Sequence, residues 1–227
     1  MDILLLHGAI GASDQLLPLK DGLASLYRVH YMNFSGHGGQ SMDTEKYAIP
    51  LFANDVIRFL DSKNIAKVTI LGFSMGGYVG LYLAKHHPER IDSVITLATK
   101  YNWDAAIAAK EVQMLNPDKI AEKLPAFAET LKQRHSPADW KDVLNLTAAM
   151  MLEMGNDSPL KPEDYAGITH PTLIMLGDRD KMVTLEETVA VYKALPNAQL
   201  CVLPKTPHPI EQVSVDLVVN VVKQFLN

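Results

Sequence analysis

The apolar positions fall into two alternating patterns. Short unbroken apolar or β-branched runs, suited to strands buried on both faces, occur at Ile3–Leu6, Lys67–Leu71, Ile91–Ala98, Thr172–Leu176 (from Pro171) and Gln199–Leu203, with a further strand at Tyr27–Phe34. Between them lie segments with helical spacing: Ser13–Leu26 with Ser13 or Asp14 as N-cap, Pro50–Ser62 with its apolar positions on one broad side, Tyr78–Lys85, Thr184–Leu195 capped by Thr184, and Val213–Leu226. The last segment is rich in valine, which favours strand, but Val215, Val218, Val219, Val222, Phe225 and Leu226 share a helical face. Strands alternating with helices predict a parallel α/β sheet with helices on both faces.

From Thr99 to Tyr165 the alternation stops. Asp104–Leu115 reads as an alanine-rich helix and Pro117–Arg134 as two short helices around Pro125. Ser136-Pro137-Ala138-Asp139 reads as the start of a helix running to Met154 and stopping at Gly155. Residues 156–170, with Pro159, Pro162 and Gly167, lead back to the strand pattern. The expected organisation is therefore one α/β core, 1–98 and 166–227, interrupted by a helical insertion, 99–165.

The chemistry concentrates between the third strand and its helix, at Gly72-Phe73-Ser74-Met75-Gly76. Gly-x-Ser-x-Gly at a strand-to-helix turn holds the serine on a sharp bend, with small neighbours leaving it room and its hydroxyl clear of the backbone. The Met75 amide then lies at a helix N-terminus, facing developing negative charge. Three further pieces follow predicted strands: His7-Gly8-Ala9, Gly177-Asp178-Arg179-Asp180, and His208 between Pro207 and Pro209.

Serine, then aspartate, then histidine, each just past a strand's C-terminal end, resembles the α/β-hydrolase superfamily over almost the whole chain. The resemblance implies an α/β-hydrolase fold with a six-stranded, all-parallel sheet. There is no room before Ile3 for the hairpin such proteins usually carry. It also implies that 99–165 is a cap over the active site, with Met114, Met150, Met151 and Met154 as a flexible apolar lining or as packing within the cap. The implied catalytic residues are Ser74 as nucleophile, His208 as base and Asp180 as its orienting acid, with the backbone amides of Ala9 and Met75 as oxyanion hole. Asp178 competes with Asp180, but Asp180 fits the superfamily's Gly-x-x-Asp pattern with Val183 three residues on. His7 is read as holding the oxyanion loop. His208 is preferred as base over His135, His170 and His37 because it alone follows the last strand. Ser35-Gly36-His37-Gly38-Gly39 resembles a turn that shapes the pocket mouth.

Net charge is −5 across 227 residues, which argues against nucleic acid or an anionic membrane as partner. No run approaches the roughly 20 apolar residues of a membrane span. The single cysteine, Cys201, excludes an intrachain disulfide and is expected as a small buried hydrophobe. The adjacent His86 and His87 diverge on a helix, so no metal pair is expected. The expectation is a cytoplasmic serine hydrolase, monomer or homodimer, with no cofactor and no metal. Its substrate would be a small or medium ester, thioester or related acyl compound. The alternatives within the same fold are a small-molecule receptor with slow turnover, as in karrikin and strigolactone receptors, and a lyase or C–C hydrolase using the same triad.

Overall fold

A computed structural model describes residues 1–42 and 45–227. Six strands form one sheet: β1 (Asp2–Leu6), β2 (Arg28–Tyr31), β3 (Val68–Phe73), β4 (Ile91–Leu97), β5 (Thr172–Gly177) and β6 (Ala198–Leu203). Their order is β2-β1-β3-β4-β5-β6, and every neighbouring pair is parallel. β3 and β5 are buried at every position, whereas β2 and β6, at the two edges, are half-exposed. Cys201 therefore sits partly exposed on an edge strand, not in the core as its apolar neighbours suggested.

Helices cover both faces. On one face α2 (Ile49–Ser62) and α3 (Met75–His86) bury Phe52, Val56, Leu60, Val79 and Leu83 against Leu4, Leu6, Ile70 and Val94. α8 (Leu185–Ala194) extends that layer through Val191. On the other face α1 (Leu17–Leu23) and α9 (Val215–Leu226) bury Leu19, Leu23, Val218 and Val222 against Ile3, Leu5, Leu71 and Ile95. Each such side chain contributes on the order of 1.5–3 kcal/mol. α9 is helical despite its valines because Val218 and Val222, one turn apart, are both fully buried, and Ser214 caps its first turn by accepting from Leu217 N.

Between β4 and β5 lie α4 (Ala105–Glu111), α5 (Pro117–Lys123), α6 (Pro125–His135) and α7 (Trp140–Asn156). α5, α6 and α7 share a small core of their own, with Leu131 and Leu144 fully buried beside Trp140 and Ile120. α7 also sends Val143, Met150 and Met154 into the main core.

Several boundaries differ from the sequence reading. The first helix opens as a 3-10 turn, Ser13–Leu16, and α1 ends at Leu23; neither Ser13 nor Asp14 is its cap. The Ser13 amide is instead held by Asn33 Oδ1 at 2.7 Å. β2 stops at Tyr31 because Asn33 and Phe34 turn toward Ser13 and His7. α7 is capped by Asp139, which accepts from Lys141 N, while Ser136 closes α6 by donating its amide to Lys132 O. Gly155 lies inside α7 rather than ending it: a Cβ there would stand 2.5 Å from the Ala108 Cβ, so the glycine lets α4 and α7 approach. No helix among the described residues is long and apolar enough to cross a membrane.

Candidate active site

β3 delivers Ser74 onto a bend with φ 50° and ψ −115°, a conformation that side chains rarely adopt. The bend is held from three sides. Ser74 N donates to Leu97 O at 2.8 Å, Thr99 Oγ1 donates to Ser74 O at 2.9 Å, and Gly77 N also donates to Ser74 O. The flanking glycines are sterically required: a Cβ on Gly72 would stand 2.2 Å from the Gly76 carbonyl carbon, and one on Gly76 would stand 2.4 Å from Leu6 O. Met75 opens α3, so its amide is one of the N–H groups that a helix leaves unpaired.

β1 lies beside β3, with Leu6 in register with Gly72, so the loop after β1 runs alongside the serine turn. Gly8 packs so closely there that a Cβ would meet the Phe73 ring at 2.9 Å and Ser74 Cβ at 3.2 Å. Residues 8–11 form a tight turn in which Gly11 N donates to Gly8 O at 3.1 Å. The fully buried His7 holds the same carbonyl, Nδ1 to Gly8 O at 2.8 Å, while its Nε2 accepts from Phe34 N at 3.2 Å. This pairing fixes His7 as the neutral Nδ1–H tautomer. Burial lowers its pKa to about 4, only partly opposed by the bond to Gly8. Because a trans peptide points its N–H opposite its C=O, anchoring Gly8 O also sets the direction of the Ala9 N–H. His7 is thus a structural group, as read from sequence.

Asp180 and His208 meet. His208 Nδ1 donates to Asp180 Oδ2 at 2.7 Å, and the other carboxylate oxygen accepts from Met182 N and Val183 N at 2.8 and 2.9 Å. Burial would raise the Asp180 pKa, but the bonds from His208, Val183 and Met182 outweigh it and hold the carboxyl below its usual value. Asp178 does not reach the imidazole. Its Oδ1 accepts from Thr206 N at 3.2 Å and so ties the β5 turn to the loop carrying His208. The His208 ring packs on Phe73, the residue before Ser74, with centroids 5.4 Å apart. Among the described residues no hydrogen bond joins the Ser74 hydroxyl to His208.

Ser74, Ala9 and Met75 line one cavity of about 40 Å³ together with Tyr78, Lys100, Trp103, Met150, Met151 and Met154. Three of the four methionines expected at a lining are there; Met114 is exposed instead. The cavity is far below the roughly 300–1,000 Å³ of small-molecule sites, and three of its walls are α7 methionines, whose unbranched side chains re-pack readily.

The sequence reading passed over Thr99, Lys100 and Trp103. Each follows β4 at its C-terminal end, the position where parallel sheets place ligands, and that position is the signal that would have found them. Lys100 sits 3.5 Å from Glu111 and 3.7 Å from Glu187. Among the described residues no group of histidine, cysteine, aspartate or glutamate is arranged to hold a metal. His86 instead packs on Tyr82, centroids 4.2 Å apart.

A family model for the α/β-hydrolase fold matches residues 3–147. The 3-oxoadipate enol-lactonase 2 of Acinetobacter baylyi is 44% identical over 170 residues, spanning 67% of this chain and 61% of that protein. Among solved structures, a serine hydrolase from Cycloclasticus zankles superposes with a TM-score of 0.81 at 22% identity, covering 100% of this chain and 89% of that one. A thermophilic esterase from Thermogutta terrifontis gives 0.80 at 21% identity, with 100% and 89% covered. At these identities the two structures speak for the fold.

Proposed function

Because the chain belongs to the α/β-hydrolase fold family, we propose that it is a serine hydrolase cleaving a small or medium ester, thioester or related acyl substrate. Ser74 Oγ attacks the acyl carbonyl while His208 takes the hydroxyl proton. The amides of Ala9 and Met75 receive the resulting oxyanion. His208 then protonates the leaving alcohol or thiol, and a water, deprotonated by the same ring, releases the acid from Ser74. Asp180 holds the imidazole in the Nδ1–H tautomer and stabilises the imidazolium.

The observation that carries this reading is the 2.7 Å bond from His208 to a buried carboxylate, made beside a serine held in a strained strand-to-helix bend. Apart from Lys100, the walls around Ser74 are largely apolar, which favours an acyl group with an apolar portion. The related proteins named esterase, serine hydrolase and enol-lactonase support acyl chemistry without fixing the substrate.

Purified wild-type protein is expected to hydrolyse p-nitrophenyl butyrate, and Ser74→Ala to lose at least about 10³-fold of kcat. Equal turnover by the two proteins would reject the proposal.

A further inference from the structure

The turn that carries the Ala9 amide is anchored at two ends, and the second anchor comes from the inserted helices. His135, the last residue of α6, is 1% exposed. Its Nε2 donates to Ile10 O at 3.0 Å, and its Nδ1 accepts from Gly38 N at 3.2 Å. One imidazole thus joins the inserted helices to the loop after β1 and to the loop after β2.

Ile10 needs such a hold. Its φ is 53°, in a region that β-branched residues avoid, at the third position of the turn closed by Gly11 N and Gly8 O. A residue in that conformation is strained and persists only where its surroundings enforce it. The enforcing contacts are the bond from His135 to its carbonyl and the packing of its side chain against the core shared by α5, α6 and α7. His7 fixes Gly8 O at the start of the turn, and His135 fixes Ile10 O near its end.

The cavity beside Ser74 is walled in part by Met150, Met151 and Met154 of α7. α6 and α7 share one core, so the seating of the inserted helices sets where His135 lies. We propose that His135 is a positioning residue, clamping the Ile10 carbonyl so that the Ala9 N–H faces the Ser74 site when the inserted helices are seated. This rests on the serine hydrolase reading above.

Two polar substitutions separate the bonds. The amide of His135→Asn occupies the place of Nδ1 and can still accept from Gly38 N, but falls short of Ile10 O. His135→Gln extends to the place of Nε2 and can donate to Ile10 O. We expect His135→Asn to lose at least about tenfold in kcat on p-nitrophenyl butyrate with KM within about twofold, and His135→Gln to stay within about threefold of wild type in kcat. Amide exchange at Gly11 should quicken in His135→Asn and not in His135→Gln, with β1 and β3 unchanged in both. Equal kcat and equal Gly11 exchange in the two variants would overturn the proposal. So would a kcat loss in His135→Asn matched by Leu131→Ala, a core variant of the same helix, at equal melting temperature. Wild-type turnover that disappears in Ser74→Ala separately supports the hydrolase reading, whereas Gly11 exchange reports positioning even if no ester is cleaved.

Discussion

Three buried imidazoles, His7, His37 and His135, form a chain beside the turn of residues 8–11, with ring centroids 5.2 and 5.8 Å apart. His37 is wedged between them and stacks on Tyr47 at 4.8 Å. All three have lowered pKa values, and burial is the leading cause in each. For His7 the folded value is about 4 against an ordinary 6.5, so between those limits the unfolded chain binds a proton that the folded chain does not. Its neutral state therefore supports folding fully above pH 6.5, and that support fades as pH falls toward 4. His7 alone should withdraw on the order of 2 kcal/mol between pH 7 and pH 5, with His37 and His135 adding in the same direction. Urea unfolding at the two pH values checks this; equal unfolding free energies would contradict it. Residue placements were readable only where chain order fixes them. Ser74, Asp180 and His208 each end a strand or follow one, so spacing located them. His135 could not be assigned this way: it reaches Ile10, 125 positions away, only through the packing of a helix whose seat the sequence does not specify.

At the level of elements, caps explain both agreements and errors. Thr184-x-x-Glu187 opens α8 as a reciprocal capping box, with Thr184 Oγ1 accepting from Glu187 N at 3.1 Å and Glu187 Oε2 accepting from Thr184 N at 3.1 Å. The box follows directly on Val183, whose amide holds Asp180, so helix start and acid are built on consecutive residues. Thr184→Ala should cost about 1 kcal/mol, seen as a lowered Tm. Glu187→Ala should cost more, because Glu187 also accepts from Tyr101 N at 3.0 Å and faces Lys100. A smaller loss in Glu187→Ala than in Thr184→Ala would contradict that account. Ser136-Pro137 has the same local signature as a helix start, yet the helix begins at Trp140. Ser136 ends α6 by donating its amide to Lys132 O, and the side chain that accepts from the first turn of α7 is that of Asp139. Local sequence cannot tell which of two adjacent caps the neighbouring helix has claimed. The valine-rich α9 shows the converse, a periodic apolar face that outweighs local strand propensity once α1 and the sheet are there to bury it.

The whole molecule is a parallel sheet whose β1 and β3 ends face an inserted helical layer across a nearly filled cavity. The six-stranded parallel sheet followed from the resemblance, and in it the adjacency of β1 and β3 lets His7-Gly8-Ala9 reach the Ser74 turn. The cavity's size did not, since it depends on how Met150, Met151 and Met154 pack. Met150 and Met154 are 3% and 5% exposed, so truncating either to alanine removes wall from the cavity that Ser74 lines. Met154→Ala should lose about 2–5 kcal/mol of stability and shift preference among p-nitrophenyl esters toward longer acyl chains. An unchanged chain-length profile would show that this wall does not limit the acyl group. The most direct test of the central claim is labelling with a fluorophosphonate, read by peptide mass in wild type, Ser74→Ala and Asp180→Asn. The adduct should fall on the peptide bearing Ser74, vanish in Ser74→Ala and form at least about tenfold more slowly in Asp180→Asn. Native protein that takes up no label, or undiminished labelling of Ser74→Ala, would contradict it.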